Sequence, residues 1–90
     1  MEIIILDGLK MIGRENAHSY LKKVMRLPEY YGKNLDALSD VLGEFGRDVT
    51  IILQHASFLR NEPTGYGGRI VEVFRAAAEP GNAFAFIEKD

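Results

Sequence analysis

The sequence predicts an α/β fold, with a small three-stranded parallel sheet flanked by about four helices. Three apolar runs, at residues 3–6, 49–53 and 83–87, are continuous and rich in β-branched or aromatic residues, which is typical of strands covered on both faces. The intervals between these runs are long enough to hold helices, and helical crossovers favour parallel pairing of the strands. The order of the strands in the sheet stays open.

The length and composition predict one compact domain, spanning residues 1–90, since the chain is 47% hydrophobic and 27% charged. The sequence has no cysteine, which excludes a disulfide framework, a thiolate zinc site and a thiol nucleophile, and favours a reducing compartment. Residues 1–8 lack a basic segment, and their apolar run is too short for a signal peptide or a membrane span. We therefore expect a cytoplasmic protein that binds no cofactor and no membrane.

The net charge also narrows the class of partner. The formal net charge is -2 and the isoelectric point is about 5.6, so the chain has no general basic field that would hold phosphate backbones. We expect no direct binding of nucleic acid.

The first crossover, between the first two predicted strands, contains apolar residues at helical spacing. An apolar stripe from Ala17 to Met25 predicts a helix that stops before Pro28. A second helix is predicted to begin at Asn34, a favoured N-cap residue, and to end near Gly46.

In the second crossover, helical segments are separated by a loop. Residues 55–61 predict a brief helical turn, and residues 62–68 form a loop rich in glycine and proline. A final helix follows, with Ile70 and Phe74 on its buried face, and Pro80 separates it from the last strand.

The second helix carries an acidic stripe, consisting of Asp36, Asp40 and Glu44, on the side opposite its leucines. Carboxylates four residues apart repel each other, and the helix contains no lysine or arginine that would relieve the repulsion. The flanking residues Ser39 and Gly43 are small and leave the carboxylates accessible. An acidic stripe is often only a solvated face, but these features together favour docking onto a cationic surface.

Two blocks around the start of this helix resemble the signature of the barstar family of intracellular ribonuclease inhibitors. Residues 28–32 read Pro-Glu-Tyr-Tyr-Gly, and residues 34–38 read Asn-Leu-Asp-Ala-Leu, followed by Asp40. Weaker similarity at residues 21–23 and 73–75 extends the resemblance over most of the chain.

The resemblance implies a barstar-like fold and a stoichiometric inhibitor that is not an enzyme. The implied partner is a small extracellular-type bacterial ribonuclease, bound by a monomer in a 1:1 complex, whose basic active site receives the acidic helix and the loop before it. Asp40 matches the dominant acidic contact of the family, and Tyr30 and Asp36 match further contact positions. The predicted interface is completed by Asn34, Ser39, Gly43, Glu44, Phe45 and Gly46.

Three positions depart from the family pattern. Ser39 and Phe45 stand where the family prototype has tryptophan, and Ala76 stands where an acidic contact is expected in the last helix. Glu72 lies one helical turn before Ala76, and we include it in the predicted interface in its place. Because of these departures, we do not assume that the target is barnase, the ribonuclease that the family prototype inhibits, and a different ribonuclease is a plausible target.

Two other classes of function compete with inhibition. An adaptor could use the same acidic face on another cationic partner, and only the family signature argues against it. An enzyme would need titratable groups that converge, whereas His18, predicted to be exposed, and His55, after a strand, show no convergence in the sequence. Asp36 and Asp40 offer too few ligands for a metal, and residues 65–69 lack the lysine of a phosphate-binding loop.

Overall fold

The computed structural model describes residues 2–45, 48–78 and 84–90. The predicted α/β class is confirmed. The elements in chain order are β1 (Glu2–Asp7), a short 3₁₀ turn (Gly8–Lys10), α1 (Arg14–Val24), α2 (Leu35–Leu42), β2 (Val49–Gln54), α3 (Ala56–Arg60), α4 (Tyr66–Ala77) and β3 (Ala85–Glu88).

The three strands form a parallel sheet in the order β1-β2-β3, so β2 lies in the centre. Ile5 is in register with Ile52, and Ile52 is in register with Ile87. Since residues in register point to the same side of a parallel sheet, these three isoleucines form a row across it.

Among the described residues, one face of the sheet is buried and the other is largely exposed. Along β1, Ile4 and Leu6 are buried, whereas Ile3 is 56% and Ile5 51% exposed, and Ile87 of β3 is 41% exposed. The prediction of coverage on both faces is therefore wrong. In a sheet of consecutive parallel strands, right-handed crossovers return every helix to the same side, and continuous apolar runs in the sequence do not reveal that the second side stays open.

The covered face packs against the apolar sides of the helices. Leu21 of α1, Leu42 of α2 and Phe74 of α4 belong to one core and are almost completely buried. Phe74 also stacks on Phe86 of β3, with ring centroids 5.3 Å apart. The core thus fixes α2 and α4 against the sheet; of the predicted interface residues, Asp36, Ser39 and Asp40 lie on α2 and Glu72 lies on α4.

Two helix boundaries differ from the sequence prediction. α2 ends at Leu42, four residues before the predicted end, and Gly46 lies outside the described residues. α4 begins at Tyr66, so Gly67 and Gly68 are helical and do not belong to the preceding loop. Glycine is a weak helix former, but tertiary packing overrides that propensity here, because Gly67 is buried where α4 approaches α3.

We predict that Gly67→Ala destabilises the fold. A Cβ at this position would overlap the carbonyl oxygen of Leu59 and lie 2.6 Å from its Cδ1, so α3 and α4 must separate. Overpacking of this kind costs about 1–3 kcal/mol of the free energy of unfolding, which urea denaturation measures.

Gly43→Ala is the matched control. Gly43 has helical geometry, with φ of -65°, and a Cβ there would meet no atom closer than 3.4 Å. This substitution should leave the fold as stable or raise its stability by about 0.4–1 kcal/mol. Equal stability of the Gly67→Ala variant and the unmodified chain would contradict the close approach of the two helices.

Candidate functional site

The acidic stripe lies on the exposed side of α2. Asn34 caps the helix, since its side-chain oxygen accepts a hydrogen bond of 2.8 Å from the backbone nitrogen of Ala37. Asp36 lies in the first turn, where a negative charge is favourable. Asp36 and Asp40 are exposed while Leu38, on the opposite side, is buried. The wheel drawn from the sequence is therefore confirmed within the helix.

The third carboxylate of the stripe lies just beyond the helix. The backbone nitrogens of Glu44 and Phe45 donate to the carbonyls of Val41 and Leu42, both at 3.2 Å, so the chain continues as a tight turn. Glu44 remains exposed. Phe45 is partly buried and meets Phe84 edge to face, with ring centroids 6.1 Å apart. Phe45 thus anchors the end of the stripe to the core.

Tyr30 and the two C-terminal carboxylates of the stripe share one groove. Tyr30, on the loop between α1 and α2, is 85% exposed. Its side chain lines a cavity of about 280 Å³ together with Ala37, Asp40, Val41 and Glu44, and we call this cavity the acidic groove. The groove combines an aromatic wall, an apolar floor and two carboxylates, a combination suited to a cationic side chain with an apolar stem.

The other predicted positions that the structure describes do not line the acidic groove. Asn34 and Asp36 line a neighbouring cavity of about 290 Å³. Ser39 and Gly43 are exposed on the same segment of chain. Glu72, on α4, does not line either cavity and forms an ion pair of 3.5 Å with Arg60 of α3.

A buried histidine holds the loop that carries Tyr30. His18 of α1 is completely buried, its Nδ1 lies 2.6 Å from the hydroxyl of Tyr31, and its Nε2 lies 2.6 Å from the hydroxyl of Tyr66. A neutral imidazole can donate to one hydroxyl and accept from the other. Burial inside the protein, together with the positive charges of Arg14 and Lys33, lowers the pKa of His18.

The prediction that His18 is exposed is wrong, and the sequence held a signal against it. His18 precedes Leu21 by three residues and Met25 by seven, so it shares the apolar side of α1. Tyr31, predicted to be core, is buried, and burial raises its pKa to about 12. Tyr31 therefore keeps its proton and can serve as a neutral partner of His18.

A second polar cluster fixes the start of α4, which carries Tyr66. The buried carboxylate of Glu62 accepts hydrogen bonds from the backbone nitrogen of Gly67 at 2.7 Å and from that of Thr64 at 2.9 Å, as well as from the Thr64 hydroxyl. Burial alone would raise the pKa of Glu62, but these hydrogen bonds outweigh it and lower the pKa below its usual value.

Neither a metal site nor a membrane-spanning helix is found in the described part of the chain. It contains no cluster of three or more histidine or acidic side chains that could hold a metal ion. None of the helices within residues 2–45, 48–78 and 84–90 is long and apolar enough to cross a membrane.

A family model described as "Barstar (barnase inhibitor)" matches residues 1–87. The chain belongs to the barstar family. A protein of Bacillus subtilis (strain 168) named "Putative ribonuclease inhibitor YrdF" is 36% identical to it over 80 residues, which cover 88% of each chain. The resemblance noted at residues 28–40 thus extends over residues 1–87 of this chain.

We predict that the fold loses stability as the pH falls below 6.5, the ordinary pKa of histidine. Because the pKa of His18 is lowered in the folded state, the unfolded chain binds a proton first, and the stabilisation that is complete above pH 6.5 is lost as the pH falls toward the folded-state pKa. The free energy of unfolding should fall by up to about 1.4 kcal/mol per pH unit from this group.

Urea denaturation between pH 8 and pH 5 measures this effect, in a range above the ordinary pKa of the carboxylates. His18→Gln should reduce the slope, and an NMR titration of His18 in the unmodified chain supplies the same test without a substitution. A His18 that titrates at or above pH 6.5 would contradict the neutral bridge between the two tyrosines.

Proposed function

We propose that this chain is a cytoplasmic inhibitor of a small, barnase-like bacterial ribonuclease, which it binds as a monomer in a 1:1 complex. Membership of the barstar family and the name of the Bacillus subtilis relative support ribonuclease inhibition. The absence of cysteine supports a reducing compartment.

The acidic groove is the observation that carries the proposed mechanism. A ribonuclease must hold arginine, lysine or histidine around the scissile phosphate of its substrate. Asp40 and Glu44 would form charge-assisted hydrogen bonds to such groups, and Tyr30 in the same groove would cover their apolar stems. The carboxylates would thus replace the RNA phosphates without offering a bond that the nuclease can cleave.

The carboxylates stand on a framework that is already in place before binding. Asp40 lies within a capped helix packed on the core, and Tyr30 lies next to Tyr31, which His18 holds in the interior. Little conformational entropy needs to be lost on docking, which favours tight binding for a surface of this size. Ser39 and Gly43 add no bulk that would keep a partner from the carboxylates.

We predict that Asp40→Ala abolishes most of the inhibition. Removing a central carboxylate that is desolvated in the complex leaves the nuclease cations unpaired, and such a loss should cost at least about 2 kcal/mol, a thirtyfold rise in Kd. The rise should come mainly from faster dissociation. The measurement is RNA cleavage by several small bacterial ribonucleases at increasing concentrations of the chain, with surface plasmon resonance for the rates.

Glu2→Ala is the control, because it removes the same charge from an exposed position at the start of β1. It should change Kd by less than about threefold through long-range steering alone. Undiminished inhibition by the Asp40→Ala variant would remove the mechanism. Failure of the unmodified chain against every ribonuclease tested, with binding to a cationic protein that is not a nuclease, would replace inhibition by the adaptor function.

A further inference from the structure

Three cations lie at the N-terminal ends of three different helices. Arg14 is the first residue of α1, Lys33 immediately precedes the N-cap of α2, and Arg69 is the fourth residue of α4. We call this set the cationic rim. It lies beside Asp36, at the opposite end of the acidic stripe from Glu44.

The three side chains line two cavities that share Arg14. Arg14 and Lys33 line a cavity of about 730 Å³, and Arg14 and Arg69 line the cavity of about 290 Å³ that also contains Asp36. All three residues of the cationic rim are exposed. Within the part of the chain that the structure describes, none of the three has a carboxylate oxygen within 4.0 Å.

The cationic rim opposes the stability of the helices that carry it. The N-terminal end of a helix bears partial positive charge, so a cation there is unfavourable by a few tenths of a kcal/mol or more. Some cations of this chain are neutralised by neighbours: Arg60 pairs with Glu88 at 2.7 Å, and Lys22 pairs with Glu29 at 3.2 Å. Because their positions at helix N-terminal ends are unfavourable, stability of the fold does not explain why three cations converge here.

One of these cations is held in place. The guanidinium carbon of Arg69 lies 5.9 Å from the ring centroid of Tyr66, a cation–π distance, and the Tyr66 hydroxyl lies 2.6 Å from the buried Nε2 of His18. A charge fixed in this way loses less conformational entropy when it binds a partner.

We propose that the cationic rim is a second contact surface for the same ribonuclease, and that it binds carboxylates beside the basic active site of that enzyme. The inference rests on the proposed function. A partner docked along the acidic stripe must face the cationic rim at the Asp36 end, and a uniformly cationic surface would be repelled there. The chain would thus select a nuclease in which a basic cleft adjoins an acidic patch.

The test is charge reversal at Arg14 and Arg69, alone and together. Arg14→Glu and Arg69→Glu each remove a cation and add an anion, so contact with carboxylates predicts a rise in Kd of at least fivefold for each. If the cationic rim instead faced only cations of the nuclease, the same substitutions would tighten binding. The sign of the change therefore separates the two arrangements.

Lys23→Glu is the matched control, since it makes the same change in net charge at an exposed position in the last turn of α1. It should leave Kd within about twofold or tighten binding slightly. Both rim substitutions place a carboxylate where the helix dipole favours one, so the variants should fold, and urea denaturation verifies this.

Unchanged or tighter binding of the folded rim variants would overturn the inference. In that case, inhibition by the unmodified chain and its loss with Asp40→Ala would still support the proposed function. Binding of an RNA oligonucleotide that the double variant loses would also overturn it, by assigning the cationic rim to nucleic acid. Inability of the unmodified chain to inhibit any ribonuclease would remove the proposed function and this inference together.

Discussion

His18 joins three parts of the chain that are distant in sequence. Through Tyr31 and Tyr66 it connects α1 to the loop before α2 and to the first residue of α4, and it does so with both ring nitrogens inside the core. Because Tyr31 is fixed from within, its neighbour Tyr30 projects outward as part of a rigid loop. The surface that would meet a partner is thus positioned by hydrogen bonds to a histidine buried in the interior.

The charges on this surface are arranged at a cost to the helices that bear them. The acidic stripe places like charges at neighbouring turns of α2, and the cationic rim places positive charges at positive helix ends. The net charge of -2 conceals this separation of sign. Recognition of a partner with the complementary pattern would account for both, since complementary charge fixes the register of docking and rejects other partners.

The features that periodicity governs could be predicted from the sequence. The three strands, the helical crossovers and the exposed side of α2 all follow from the spacing of apolar residues, and family motifs extended the prediction to individual interface positions. The open face of the sheet could not be predicted in this way. Ile3 and Ile5 are apolar like the buried residues beside them, and whether they are covered depends on the order of the strands, which local spacing does not determine.

The buried polar residues that support the site could not be predicted from the sequence either. His18 and Glu62 are polar residues whose burial becomes favourable only when hydrogen-bond partners from other elements are in place. The grooves that unite Tyr30 with Asp40, or Arg14 with Arg69, arise from packing between segments and have no counterpart in local spacing. The structure describes the predicted interface residues other than Gly46, whereas their contacts with a ribonuclease stay predictions.

In the proposed complex, the acidic stripe occupies the phosphate-binding positions of the ribonuclease. The most direct test is calorimetric titration of the chain into a ribonuclease that it inhibits. The titration is done with the free enzyme and again with a saturating nucleoside 3′-phosphate in its active site. We expect competition, with an apparent Kd that rises in proportion to the nucleotide concentration. Simultaneous binding, with the Kd unchanged by the nucleotide, would contradict it.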